Sequence, residues 1–176
     1  FDDNVHITQN RWVKIDNLGW DSLARAWQSS FSSFPSNRPL AQLSFGINHA
    51  VAGLNPWAFK AVNLAIHLLT GLTIFVFARL GLRALSGQAD RTQGETFFAL
   101  AVAAFWLLHP LHVSTVLYAV QRMAQLSTLF LMLALSAYLW GRLRLADDKP
   151  GLPWILAAIP LAGIGFLGKE NTVLLP

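Results

Sequence analysis

Four stretches of this chain, residues 61–78, 96–121, 123–141 and 150–168, contain no Asp, Glu, Lys or Arg. A helix needs roughly 17–25 mostly apolar residues to cross ~30 Å of hydrocarbon, and all four stretches reach that length. Four apolar helices are too many for a chain of 176 residues to bury from water. The expected fold is therefore all-α, a polytopic transmembrane bundle of about four spans with a helical outer loop before it. Composition agrees: 54% of the residues are hydrophobic and 12% are charged, against about 25% charged in an ordinary soluble domain. Strand-type alternation is absent. The chain begins at Phe1 and stops at Pro176 directly after an apolar run, which reads as a fragment of a longer chain with at least one span before Phe1. With no cysteine, neither a disulfide framework nor a thiolate metal site is available. No phosphate-cradling glycine loop is present, so nucleotide binding has no support, and nothing points to nucleic acid.

The organisation follows from the breaks between these runs. Residues 1–55 form an extracytoplasmic loop with amphipathic helices, and residues 56–176 form the transmembrane bundle. In the loop, Trp20, Leu23, Trp27 and Phe31 recur at helical spacing, opposite Asp21, Arg25 and Gln28. Asn17 is the expected N-cap. The aromatic stripe suits either a helix lying in the membrane interface or one packed on the spans. A second loop helix is expected from about Leu40 to Ala52, ending at Gly53. Spans are expected at about 56–78, 96–108, 123–140 and 152–167. His109-Pro110 ends the second, a short re-entrant or interfacial helix fills 111–121, and Pro160 is the expected kink of the fourth. Asn63 and His67 lie four apart on one face of the first span, turned toward protein or water.

Loops 79–95 and 141–150 carry three basic residues each, so the positive-inside rule makes both cytoplasmic. Residues 1–55, 109–122 and 169–171 then share the opposite face. That face collects Asp2, Asp3, His6, Arg38, His109, His112, Arg122, Lys169 and Glu170. Carboxylates beside cations at a membrane surface can pair a general base with a cradle for an anionic leaving group. The same residues also suit solvated charges that anchor helix ends. Two histidines at 109 and 112 do not make a zinc site. A divalent cation held by Asp2 or Asp3 with Glu170 is chemically reasonable, and no cofactor is assigned beyond it.

Several short pieces stand in a telling order: Phe1-Asp2-Asp3-Asn4-Val5-His6-Ile7; Arg38-Pro39-Leu40 with Leu43-Ser44-Phe45; Gly53-Leu54-Asn55-Pro56 followed by Asn63 and His67; His109-Pro110-Leu111-His112; Val120-Gln121-Arg122-Met123; and Gly168-Lys169-Glu170-Asn171. In that order they resemble the GT-C membrane glycosyltransferases. Within these, the set is most similar to the transmembrane O-mannosyltransferases with tetratricopeptide repeats and their bacterial relatives, the Gln121-Arg122 form looking more like the bacterial branch. The repeats themselves would lie in a missing part of the chain. The resemblance implies a polyprenyl-phosphate-linked sugar donor and a hydroxyl acceptor on a protein or glycan. It also implies transfer with inversion at the outer face of the bilayer, in a bacterial inner membrane with the active site facing the periplasm. It casts Asp2 as the catalytic base with Asp3 beside it. Arg122 and Lys169 would bind the donor phosphate, with Arg38, His109 and His112 behind them and His6, Glu170 and Gln121 in support. A transporter or flippase for lipid-linked sugars, or a non-catalytic membrane scaffold, would also place basic groups at this interface. Neither would need a carboxylate at the start of the loop.

Overall fold

A computed structural model describes residues 7–32, 38–86 and 93–169. The chain is all-helical, and no strand occurs among the described residues. The helices are α1 (Trp20–Ser32), α2 (Pro39–Ala52), α3 (Pro56–Ser86), α4 (Gln93–Leu107), α5 (His112–Leu117), α6 (Arg122–Ala146) and α7 (Leu152–Phe166), with a 3-10 turn over Ala119–Gln121 leading into α6. Two of them are long and apolar enough to cross a membrane, Pro56–Ser86 and the continuous stretch Ala119–Ala146; α4 and α7 are shorter apolar helices. At ~1.5 Å per residue, fifteen residues reach only ~22 Å of the ~30 Å core.

Local chemistry sets the helix ends. Asn55 Oδ1 accepts from Trp57 N at 3.0 Å, with Pro56 in the first turn where its missing N–H costs nothing. Gly53, at φ 59°, closes α2. The expected N-cap at Asn17 sits two residues early. Its Oδ1 accepts from Gly19 N and Ser22 Oγ, so the asparagine forms a turn at Gly19 and the helix starts at Trp20. The first and third spans run on beyond Ala78 and Trp140, because Arg79, Arg83, Arg142 and Arg144 continue their helices rather than opening loops. Arginine is a good helix former, and nothing in those stretches breaks the ladder.

α6 is central, packed along α7 on one side and α3 on another. Glycine allows the close approaches. A Cβ at Gly71 would lie 2.5 Å from the Leu107 side chain, and one at Gly141 would lie 2.8 Å from Gly151 O across the α6–α7 corner. The interior of the bundle holds polar groups among its apolar ones, and its outside is apolar. Asn63, His67, Thr70, Gln125 and Ser127 are buried, while Leu64, Leu68 and Leu72 of α3 and Phe97, Phe98 and Phe105 of α4 are exposed. This inversion suits lipid or neighbouring spans around the outside. The apolar cluster built on Val13, Phe45, Phe59, Met123 and Leu126 joins the loop and α2 to one end of α3 and α6.

Candidate functional site

Arg122, the first residue of α6, has no exposed surface. Its Nε donates to Asn63 Oδ1 at 2.8 Å. Nη1 donates to Ser44 O and Ser44 Oγ, at 3.2 and 3.1 Å. Nη2 donates to Asn48 Oδ1 and Phe59 O, both at 2.9 Å. A guanidinium has five N–H donors, and all five are taken. The Phe45 and Phe59 rings lie 5.1 and 5.3 Å from the guanidinium carbon and offer it their negative faces. The side chain thus pins α2 and α3 to the start of α6. The phosphate contact expected of Arg122 would require breaking these bonds, so its geometry is that of a structural tie.

Asn63 and His67 do a second job. The chain between α4 and α6 is broken by Pro110 and by the extended Tyr118, which leaves carbonyls without helical partners. In a low-dielectric bundle such groups need protein donors. Asn63 Nδ2 donates to Tyr118 O at 2.9 Å and lies 3.4 Å from Val116 O. His67 Nε2 is 3.0 Å from Leu107 O, and Gln125 Nε2 donates to Thr115 O at 2.8 Å. The polar stripe of α3 therefore faces protein and holds the short α5 in place.

His67, Trp106, His109 and His112 gather beside that segment. His67 stacks on Trp106 with ring centres 4.8 Å apart; His112 lies 4.4 Å from Trp106, 5.3 Å from His67 and 6.1 Å from His109. Burial, and then the charges of His67 and His109, hold the His112 imidazole below its ordinary pKa. At neutral pH His112 is therefore a hydrogen-bonding group rather than a cation.

The segments that carry Arg38 and Lys169 come together on α6. Arg38, at the N-cap of α2, places Nη1 3.3 Å from Met123 Sδ. Lys169 accepts from Ser127 Oγ through its carbonyl at 3.1 Å, and Leu40 N donates to Leu167 O at 3.2 Å. A Cβ at Gly168 would lie 3.1 Å from Ser127 N, so this glycine lets the end of α7 press on α6. Gln121 sits in the 3-10 turn next to Arg122, its N–H donating to Tyr118 O. At the other end of α6, ~37 Å away at helical rise, Arg83 pairs with Asp147. Desolvation pushes the Asp147 carboxyl up, and the charges and hydrogen bonds of Arg83 and Lys149 outweigh it, leaving the group below its usual range. Arg38, Lys169, Arg122 and the histidines thus share one end of the bundle, and the two basic segments share the other. Asp2, Asp3, His6 and Glu170 lie outside the described residues. Among the described residues no group of three or more His, Cys, Asp or Glu is placed to hold a metal ion.

The chain is 32% identical over 142 residues to mouse protein O-mannosyl-transferase TMTC2, a match covering 80% of this chain and 16% of that protein. It is 30% identical over 185 residues to mouse protein O-mannosyl-transferase TMTC4, covering 98% of this chain and 25% of the relative. To mouse protein O-mannosyl-transferase TMTC1 it is 30% identical over 132 residues, covering 74% of this chain and 12% of the relative. The chain is a homologue of part of the TMTC protein O-mannosyl-transferases. It spans no more than a quarter of these TMTC relatives. No family model and no solved structure matches it.

The residues that the sequence reading passed over are Asn48, Trp106, Gln125 and Ser127, and Ser44 entered it only as part of a motif. Ser44, Gln125 and Ser127 did carry a signal. They are polar residues within or beside apolar helices, where an unpaired polar group is expensive, and each marks a carbonyl or guanidinium that needed a partner.

Proposed function

We propose that this chain is part of a membrane glycosyltransferase that moves a sugar from a polyprenyl-phosphate donor to a hydroxyl of a protein acceptor at the outer membrane face. The observation that carries the reading is the packing of the segments bearing Arg38 and Lys169 against each other at one end of an apolar bundle with polar groups inside it, in a chain whose relatives are named protein O-mannosyl-transferases. Lipid chains suit the apolar outside of the bundle. A phosphate at the interface suits the two cations, which attract it more strongly as charge develops on the leaving group. In the step itself the acceptor oxygen bonds to the anomeric carbon and its proton passes to Asp2. The bond from that carbon to the phosphate oxygen breaks, and the polyprenyl phosphate leaves with the electron pair. In-line displacement inverts the anomeric centre. Asp3 orients Asp2, and Arg122 keeps α2, and with it Arg38, at its station on α6.

The test is transfer from polyprenyl-phosphate mannose to a peptide library by the reconstituted full-length protein. Asp2→Asn keeps size and hydrogen bonding but removes the base, whose assistance is worth ~10²–10⁴-fold. Transfer should fall by that order while donor binding is retained. Normal turnover in Asp2→Asn, Asp3→Asn and Glu170→Gln, each made singly, would overturn the enzymatic reading. Orientation is checked by cysteines at Ser36 and Ser86 in intact cells, where only the first should react with an impermeant thiol reagent.

A further inference from the structure

The far end of α6 from Arg122 carries a cluster with no part in the proposed transfer. Arg83 of α3 and Arg144 of α6 both stand over one indole, that of Trp140, with guanidinium carbons 5.7 and 5.9 Å from the ring centre. Trp140 and Arg144 lie four apart on α6 and so share a face, and α3 packs along this helix. Each arginine is held by a further bond. Arg83 Nη2 donates to Asp147 Oδ2, and Arg144 Nε donates to Pro150 O at 3.0 Å. Cations are in excess here. Arg83 shares Asp147 with Lys149, whose Nζ lies 3.5 Å from it. Arg144 makes no ion pair among the described residues, and its two Nη groups have no acceptor among them. Two guanidiniums drawn to one ring repel each other. The indole face offsets part of that repulsion, and an anion between them offsets more.

The surface beside the cluster says which anion. Leu72, Val76, Arg79 and Arg83 recur at spacings of four, three and four, one stripe along α3. Leu72, Val76 and Arg79 of this stripe are exposed. An apolar track in the span therefore runs up to the arginines. Depth agrees. From Trp57 to Arg83 is ~39 Å at helical rise, close to the ~40–45 Å of a bilayer with its headgroups. Trp57 is exposed at one end, and Trp154, near the start of α7, is exposed at the end that holds Trp140. Such indoles mark the two headgroup layers. A free phosphate has no use for the track, whereas a phospholipid lays an acyl chain along it and offers its phosphate to the cations.

We propose that the Arg83–Trp140–Arg144 cluster binds the headgroup phosphate of an anionic phospholipid in the leaflet at this end of the bundle. The bound lipid joins α3 to α6, and the site does not depend on the transfer reaction. The test is binding of phosphatidylglycerol and of phosphatidylcholine to the full-length protein in neutral detergent, counted by native mass spectrometry. The first phosphatidylglycerol should bind more tightly than phosphatidylcholine. Arg144→Gln, whose amide can still reach Pro150 O, should weaken it about fivefold. Arg142→Gln removes the same charge from the opposite face of α6 and should leave the affinity unchanged. Equal binding of the two lipids would overturn the proposal. So would equal losses in the two variants, which mean diffuse surface charge, or displacement of the lipid by soluble glycerol phosphate at equal concentration, which means a free-anion site. Should Arg144→Gln fail to fold, the unaltered protein still decides. Phosphatidylglycerol with a photoreactive headgroup should cross-link to peptides holding Arg83 or Arg144, and labelling confined to other peptides would refute the site.

Discussion

Arg122 presents a rigid fork of five donors, and its acceptors come from two other helices. Removing it would leave Asn63 Oδ1 and Asn48 Oδ1 buried without that donor, at about 1–3 kcal/mol for each group left unsatisfied, while the Phe59 carbonyl keeps its helical partner. Arg122→Ala should therefore lower stability by at least about 2 kcal/mol, read as a loss of folded protein in detergent. Arg122→Lys should recover only part, because an ammonium has three donors on a flexible stem and cannot span the same acceptors. A melting temperature for Arg122→Ala equal to that of the parent would sink the structural-tie reading. His112 makes a pH prediction. Its pKa is held below the ordinary ~6.5, so the folded chain binds this proton more weakly than the unfolded chain. The stability that depends on neutral His112 is complete above pH ~6.5 and is lost as pH falls below it toward the folded value. The melting temperature should drop between pH 7 and pH 5, and His112→Gln should shrink that drop. An unchanged pH slope in the variant would assign the effect to another group.

At the scale of elements, the corner between α6 and α7 is the most tightly specified. Lys149 N donates to Arg144 O at 2.8 Å and Asp148 N to Leu145 O at 3.2 Å, the two bonds of a Schellman ending. The residue that must turn left-handed is Asp148, at φ 54°. Glycine takes that conformation without the Cβ clash, a difference of about 1 kcal/mol or less for an aspartate, which tolerates it better than most residues. Asp148→Gly should raise thermal stability slightly and leave the Arg83–Asp147 pair in place. A destabilised variant would mean that the Asp148 side chain makes a contribution larger than its backbone strain. The α4–α5 break is the opposite kind of element, since its free carbonyls are met by side chains of other helices rather than by its own ladder. It keeps its shape only while α3 and α6 flank it.

For the molecule as a whole, the uncharged runs were enough to imply an all-helical membrane bundle, because hydrocarbon leaves a backbone few other ways to satisfy its hydrogen bonds. The break at His109-Pro110 and the start at Asn55-Pro56 were likewise legible, since proline and asparagine act on the backbone within a turn of themselves. The ordered short motifs pointed to the family with which the comparisons agree. Helix lengths were less legible, because a charge marks where a helix meets water and not where it stops. The stripe on α1 was visible, but which face packs on α2 was not. Gly46 and Ala26, far apart in sequence, decided it by fitting together. Arg122 shows the same division. Its sequence setting reads as a cation at an interface awaiting an anion, and its burial among Ser44, Asn48, Phe59 and Asn63 makes it a tie between helices. A residue's charge and its local backbone preference are written in the chain one position at a time. Whether that charge meets phosphate, water or five protein acceptors depends on groups dozens of residues away, and only packing brings them together.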